Sequence, residues 1–217
     1  METFNLNNPS KIKAIIFDFD DTLYFQKNKE VHYINYAMKV VKDLTGLDFD
    51  VIKRKFKELN FVKNVSRPRL RDLVGYFGDY KEIYDEYRIN NFYMPIVKDC
   101  KTIDCELLNK FNKKYLTFLV SGEFVKNIFK KAQALNIDLK GFKKVVGAFD
   151  PKINIEKINI YKSLIDEYHL KSDEVCVIGD RFKVDIKPML DLGGSGFLVS
   201  SYKDFEKVSK ILNLAGN

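Results

Sequence analysis

Acidic side chains stand at the ends of two short apolar segments of the sequence. Asp18 and Asp20 follow the first segment, and Asp180 and Asp185 follow a segment near the carboxyl end. In an extended backbone, residues two apart point to the same side, so Asp18 and Asp20 can face one site. Carboxylates that share a site repel one another unless a cation binds between them. Magnesium prefers oxygen ligands of this kind, and the four aspartates therefore predict a Mg²⁺ site.

A hydroxyl group, a glycine amide and a lysine accompany these carboxylates. Ser121 and Gly122 follow a third apolar segment, and three lysines lie between residues 152 and 162. Such groups can stabilise negative charge on a phosphoryl group during its transfer. In this chemistry Asp18 would attack phosphorus and form an aspartyl phosphate. Asp20 would protonate the leaving oxygen and later deprotonate the attacking water.

Five short apolar runs, rich in β-branched or aromatic residues, predict buried parallel strands. They are IKAIIF (12–17), YLTFLV (115–120), KVVGAF (144–149), EVCVIG (174–179) and SGFLV (195–199). Stretches with helical character separate the later runs and also close the chain. This alternation predicts an α/β fold with a doubly wound parallel-sheet (Rossmann-like) core. Ligands of such sheets bind beyond the carboxyl ends of the strands, where the polar residues named above lie.

The first interval departs from this alternation. About a hundred residues separate the first predicted strand from the second, whereas connections in compact domains have a median of about 4–6 residues. Within the interval, segments 29–44, 50–59 and 80–92 have helical spacing of apolar residues. We therefore predict a core formed by residues 1–24 and 98–217, with an inserted α-helical cap domain at residues 25–97.

The order of these residues resembles the haloacid dehalogenase-like (HAD) superfamily of phosphatases. FDFDDTLY matches the first family motif, D-x-D-x-T, the strand ending in Ser121-Gly122 matches the second, and IGDRFKVD matches the fourth, G-D-x-x-x-x-D. The third motif is a lysine that precedes the fourth. We assign it to Lys157, because Tyr161 fits the family spacing K-x-x-x-Y/F, and Lys152 is the alternative. The resemblance covers the core, about two thirds of the chain.

The resemblance implies a magnesium-dependent phosphatase that hydrolyses a small-molecule phosphate monoester through an aspartyl phosphate. Its magnesium ligands would be Asp18, Asp180 and the backbone carbonyl of Asp20, and Asp185 would bind a metal water or complete the shell. The dehalogenases of the family lack the second aspartate, so Asp20 favours phosphate chemistry over carbon–halogen cleavage. Asp21 stands where many relatives have glycine.

Other activities remain open on the same residues. A phosphotransferase or phosphomutase would use the same aspartyl phosphate and pass the phosphate to a hydroxyl group. A phospho-receiver module also uses an aspartyl phosphate, but its acidic pair ends the first strand and its phosphorylated aspartate ends the third, and here no aspartate follows a third strand in the right place. A binding module without catalysis is disfavoured because each expected catalytic position is filled.

Charge and composition narrow the expected partners. The net charge of +7, from 37 basic and 30 acidic residues, favours anionic ligands. The lysines are scattered in short groups, among them the pairs at 113, 130 and 143, so we expect solvated helix faces and no nucleic-acid surface. Three cysteines without a paired motif, no run of membrane-spanning length and no signal-like beginning predict a cytoplasmic protein without membrane contact. The sequence leaves the substrate and the oligomeric state open.

Overall fold

A mostly parallel sheet forms the core of the computed structural model, which describes residues 1–59, 70–148 and 156–214. The strands of the chain are β1 (Glu2–Phe4), β2 (Ala14–Phe17), β3 (Tyr24–Gln26), β4 (Cys100–Thr102), β5 (Leu116–Ser121), β6 (Lys144–Gly147), β7 (Val175–Gly179) and β8 (Ser195–Leu198). All of these except β3 and β4 belong to the central sheet. The six-stranded sheet has the order β1-β8-β7-β2-β5-β6, in which only β1 is antiparallel to its neighbour. Strands β3 and β4 form a separate antiparallel pair.

Helices flank this sheet and also fill the long interval between β3 and β4. They are α1 (Lys29–Thr45), α2 (Phe49–Glu58), α3 (Leu70–Gly75), α4 (Lys81–Asn90), α5 (Cys105–Lys114), α6 (Val125–Ala134), α7 (Lys157–Glu167), α8 (Lys187–Asp191) and α9 (Asp204–Ile211). One turn of π-helix, Phe182–Ile186, lies between β7 and α8. None of the helices in these described ranges combines the length and the apolar character needed to cross a membrane.

The central strand β2 contributes to a hydrophobic cluster on each face of the sheet. Ile15 and Phe17 pack with side chains of α5, α6 and α9. Ala14 and Ile16 pack with side chains of α7 and α8. Because successive residues of a strand point to opposite faces, a run that is apolar throughout can be buried on both sides. Each of the five predicted strands is present within one or two residues, and the predicted doubly wound α/β fold is confirmed.

The chain divides into two compact units, one formed by Met1–Gln26 with Pro95–Asn217 and the other by Lys27–Met94. We call the second unit the insert. Helices α1, α2 and α4 of the insert lie in the three segments that the sequence predicts to be helical. The insert has its own hydrophobic cluster, which includes Val40, Phe56 and Leu73. Its limits lie inside the predicted 25–97, because β3 and β4 pair with each other within the first unit.

Candidate active site

Asp18 stands directly after β2 at the carboxyl edge of the sheet. Its backbone N–H donates to the carbonyl of Ile178 at 2.9 Å, so the pairing with β7 continues one residue beyond the strand. The Asp18 side chain is buried, and its Oδ2 accepts a hydrogen bond from the Thr22 hydroxyl at 3.4 Å. Phe19 points to the opposite face and packs in the cluster that contains Phe17. The strand geometry therefore directs Asp18 into the site and anchors its neighbour in the core.

A tight turn follows Asp18. The Phe19 carbonyl accepts hydrogen bonds from the N–H groups of Thr22 and Leu23, at 3.3 and 3.0 Å. Asp21 lies inside this turn with φ 58°, in the left-handed region. Glycine adopts this region at no steric cost, and aspartate is one of the few other residues that visit it routinely. The conformation explains why glycine is common here in the family and why aspartate can replace it.

Lys157 begins α7 and reaches the carboxylate of Asp18. Its Nζ lies 2.7 Å from Asp18 Oδ1 and 2.6 Å from Asp185 Oδ1, and the side chain is buried. Burial alone would lower the pKa of Lys157, but the carboxylates of Asp18 and Asp185 raise it above its ordinary value. Lys157 is therefore charged at neutral pH. The alternative lysine of the sequence analysis, Lys152, lies outside the described residues.

Asp180 and Asp185 come from the segment after β7. Asp185 lies in the π-helix with its side chain fully buried, and its Oδ2 accepts the N–H of Arg181 at 2.9 Å. Gly179 makes this position possible, because a Cβ there would lie 2.5 Å from the Cβ of Asp185. One carboxylate oxygen from each of Asp18, Asp180 and Asp185 lies within 4.8 Å of the others. We call these three residues the acidic triad.

The acidic triad has the donor chemistry of a magnesium site. Burial is the main reason that the pKa of Asp18 lies above its ordinary value; Lys157 lowers it, and Asp185 raises it further. Arg181 adds a second cation, with Nε 3.8 Å from Asp180 Oδ1 and 3.9 Å from Asp185 Oδ2. The three carboxylates outnumber the two cationic side chains, so the site has a net negative formal charge. A bound divalent cation would make this net charge positive. Oxygen donors at this spacing fit Mg²⁺.

Asp20 lies outside this triad and has different partners. Its Oδ1 accepts hydrogen bonds from the Tyr24 hydroxyl at 2.5 Å and from Lys131 Nζ at 2.8 Å. Among the residues that the structure describes, the group that could hold a metal ion does not include the Asp20 side chain. The binding of a metal through the Asp20 backbone carbonyl, which the family resemblance implies, stays a prediction.

Ser121 and Gly122 lie at the same edge of the sheet. Ser121 is the last residue of β5, which pairs in parallel with β2, and it is buried. Helix α6 begins at Val125 with Phe124 in the N-cap position, so Ser121 does not cap it. Gly122 is half-buried in the turn between β5 and α6. Ser121 and Gly122 are therefore at the strand end where the sequence places a phosphate-binding pair.

Lys131 is the functional candidate that the sequence analysis misses. The pair of lysines at 130 was expected to be solvated, and for Lys131 this is wrong, because it is only 2% exposed. Lys130 is exposed as expected. The signal was the helical spacing of Ile128, Lys131, Ala132 and Leu135, which puts Lys131 on the buried face of α6. The sequence patterns also do not assign Arg181 to the site.

Comparison with known proteins identifies the family. A family model described as haloacid dehalogenase-like hydrolase matches residues 12–193. The chain belongs to this family. The resemblance predicted from the motifs is thereby confirmed, and the HAD family is one of hydrolases. A search of curated protein sequences finds no significant match.

Solved structures of HAD proteins share the fold at low sequence identity. They include a HAD phosphatase from Thermococcus onnurineus, with TM-score 0.59, 14% identity and coverage of 91% of this chain and 97% of that one. A magnesium complex of the HAD family enzyme bt-2542 from Bacteroides thetaiotaomicron has TM-score 0.54 and 18% identity, with 91% and 98% covered. A 2-haloacid dehalogenase from Pseudomonas syringae has TM-score 0.55 and 14% identity, with 93% and 98% covered. Both phosphatases and dehalogenases therefore have this HAD fold, and the reaction must be argued from the site.

Proposed function

We propose that this HAD hydrolase is a magnesium-dependent phosphatase that cleaves a small-molecule phosphate monoester through an aspartyl phosphate on Asp18. The observation that carries the proposal is the setting of Asp18. Its buried carboxylate lies 2.7 Å from the ammonium group of Lys157, within the acidic triad, and Asp20 follows two residues later. A second carboxylate at that position supplies the acid and base that a phosphate ester requires.

The reaction would have two displacements at phosphorus. In the first, a carboxylate oxygen of Asp18 forms a bond to phosphorus while the bond to the leaving oxygen breaks, and Asp20 gives that oxygen a proton. In the second, Asp20 takes a proton from water. The resulting oxygen attacks phosphorus, the bond to Asp18 breaks, and inorganic phosphate leaves. Both aspartates then have their starting protonation states.

Positive and polar groups around Asp18 would hold the phosphoryl oxygens. Lys157 is fixed by two carboxylates at 2.7 and 2.6 Å, so its ammonium group is preorganised beside the attacking oxygen. Ser121 and Gly122 would add a hydroxyl and a backbone N–H at the end of β5. Groups that are preorganised where charge develops stabilise a transition state without reorganising.

Magnesium would be held by Asp18, Asp180 and the backbone carbonyl of Asp20, with Asp185 bound to a metal water or completing the shell. When bound, the ion would neutralise phosphate charge and reduce the repulsion between the phosphate and Asp18. The donor set supports this assignment, since each member of the acidic triad offers a carboxylate oxygen within 4.8 Å of the others.

Our further proposals concern the insert, the binding partners and the cellular location of the enzyme. We propose that the insert, Lys27–Met94, acts as the cap that selects the substrate. A phosphorylated small molecule would be the only partner that the chemistry requires, with no role for nucleic acid or a membrane. The absence of a paired cysteine motif agrees with a cytoplasmic location.

The test is phosphate release from an aryl phosphate and a panel of phosphorylated metabolites, with and without Mg²⁺. Wild type should release phosphate only with the metal, and Asp18→Asn should abolish release because it removes the nucleophile. Asp166→Asn is the matched control, because Asp166 is an exposed aspartate on the same helix as Lys157. A folded wild-type protein that binds Mg²⁺ and releases no phosphate from any compound would contradict the proposal.

A further inference from the structure

Lys131 is buried at a position where a lysine is costly. It lies in the second turn of α6 with 2% of its surface exposed, and its neighbour Lys130 is exposed on the same helix. Its Nζ lies 2.8 Å from Asp20 Oδ1 and 3.6 Å from Glu123 Oε2. A buried ammonium group is tolerated only when it is paired and hydrogen-bonded. The two carboxylates therefore account for its burial.

The direction of helix side chains explains how Lys131 reaches the site. The Cα–Cβ bonds of an α-helix tilt toward its N-terminus. Helix α6 begins just after β5, at the carboxyl edge of the sheet, so a long side chain on its buried face extends back toward that edge. Asp20 follows the neighbouring strand β2 and lies at the same edge. A helix residue 111 positions from Asp20 in the sequence thus contacts the second aspartate of the first motif.

A buried polar network holds Lys131 in place. Glu123 Oε1 accepts hydrogen bonds from the Phe124 N–H at 2.9 Å and from Asn127 Nδ2 at 3.2 Å. Asn127 is fully buried one turn before Lys131. Burial by itself would lower the pKa of Lys131, but Asp20 and Glu123 raise it above its ordinary value. The lysine is therefore charged, and it pairs with Glu123 as well as with Asp20.

We infer that Lys131, supported by Glu123, is a positioning residue that orients Asp20 for proton transfer to the leaving oxygen. This inference rests on the proposed phosphatase function. Lys131 and the Tyr24 hydroxyl donate to the same oxygen of Asp20, at 2.8 and 2.5 Å. Two donors on one oxygen hold that oxygen in place in a side chain that is 33% exposed. The proton would then be delivered from a fixed place beside Asp18.

The first experiment varies the leaving group in Lys131→Met. Nitrophenyl phosphate releases a stable phenolate and needs little protonation, whereas phenyl phosphate releases a far more basic one. Loss of Asp20 positioning should therefore lower kcat/KM for phenyl phosphate at least tenfold more than for nitrophenyl phosphate. Lys131→Arg should restore part of the difference, and the control Lys130→Met should behave as wild type. Equal losses for both substrates would show a merely structural role and overturn the inference.

The second experiment measures the ion pair without any turnover. Urea unfolding midpoints of Lys131→Met, Asp20→Asn and the double variant form a double-mutant cycle. A shift in the double variant smaller than the sum of the single shifts supports the contact, and additive shifts overturn the inference. Wild type that hydrolyses nothing would contradict the phosphatase proposal, and the cycle would still decide whether Lys131 and Asp20 interact. If Lys131→Met does not fold, Lys131→Gln replaces it in both experiments.

Discussion

Asp21 occupies a left-handed backbone conformation directly after Asp20, the second of the two catalytic candidates. The cost of this conformation depends on the side chain, because a Cβ crowds the following carbonyl oxygen. Asp21→Gly should keep the free energy of unfolding at its wild-type value or raise it. Asp21→Val should lower it by about 1–2 kcal/mol, since β-branched residues fit this region worst. Urea titration of the two variants measures the difference.

Asp21→Asn is the matched control for this prediction. Asparagine is similar in size to aspartate and tolerates the left-handed region, so its free energy of unfolding should stay close to that of wild type. Greater destabilisation by glycine than by valine would show that the Asp21 side chain, rather than its backbone, stabilises the turn.

Asp204, which lies outside the candidate active site, makes the free energy of unfolding depend on pH. Its Oδ2 accepts the N–H groups of Ser200 and Ser201 at 2.9 and 3.1 Å at the start of α9. Burial raises the pKa of Asp204, but the N–H and hydroxyl of Ser200 and the amino group of Met1 outweigh burial, so the net pKa lies below its ordinary value. A carboxylate whose pKa is lower in the folded than in the unfolded protein stabilises the fold at pH values above its unfolded pKa of about 3.9. This stabilisation is lost as the pH falls through the pKa of the folded state.

Asp204→Asn should therefore lower the free energy of unfolding by roughly 1–2 kcal/mol near neutral pH. The gap between variant and wild type should close as the pH falls below about 4. Urea unfolding at a series of pH values measures it. Asp173→Asn is the control, because its pair with Lys11 is exposed and such pairs contribute at most about 1 kcal/mol. A gap that persists in strong acid would contradict the assigned role of the Asp204 charge.

Residues next to strand ends were accessible to sequence reasoning, whereas the contact of Lys131 with Asp20 was not. The proximity of Asp18 and Asp180 follows from the shared edge of parallel strands, although the catalytic roles of these residues stay predictions. Lys131 lies ten residues beyond Ser121 in a chain with many lysines. Only the three-dimensional path of α6 shows that this lysine, and not Lys130, points at Asp20.

At the level of elements, β7 and the π-helix after it depend on Gly179. An added Cβ at this position would lie 2.5 Å from Asp185 Cβ and 2.9 Å from its Cγ. Gly179→Ala should therefore displace the Asp185 carboxylate and weaken Mg²⁺ binding on the order of tenfold or more, as changes around metal ligands commonly do. Calorimetric titration of the folded variant with Mg²⁺ measures the affinity.

Gly141→Ala is the control for Gly179→Ala. Its added Cβ would meet the side chain of Asn112, and it precedes β6, at the amino ends of the strands. The control should leave Mg²⁺ affinity unchanged. Unchanged affinity in Gly179→Ala as well would mean that Asp185 does not contribute to the metal site.

Sequence patterns revealed some elements better than others, for physical reasons. The central strands are buried on both faces, so their runs are apolar throughout and easy to recognise. Strand β1 has three residues, two of them exposed, and its pairing with β8 is a tertiary contact that no local pattern encodes. Helix α5 has a weak sequence pattern although Asp104 caps it through the Leu107 N–H at 3.0 Å, because only two of its side chains, Leu108 and Phe111, are buried apolar residues.

For the whole molecule, the two compact units have separate hydrophobic cores. The two clusters around the sheet contain no residue of the insert, within the ranges that the structure describes. The insert cluster likewise contains only its own residues, such as Val40 and Leu73. Since burial of apolar surface is the main driving force of folding, each core supplies the stability of its own unit.

Replacement of residues 27–94 by a short glycine-rich loop should therefore leave a folded first unit. We expect circular dichroism typical of an α/β protein, a single cooperative urea transition and retained Mg²⁺ binding. The same replacement combined with Asp185→Ala is the control, and it should fold but lose metal affinity. A shortened chain without cooperative unfolding would show that the sheet depends on the insert.

The antiparallel pair of β3 and β4 has a consequence for the evolution of such a protein. Gln26 is paired with Cys100, so the chain leaves and re-enters the sheet-bearing unit at neighbouring points. A segment whose two ends lie side by side can be lengthened, shortened or exchanged without rerouting any strand. Recombination within one interval of the gene could thus replace the insert while the aspartates stay in register. Selection can act on the two parts of the molecule at different rates.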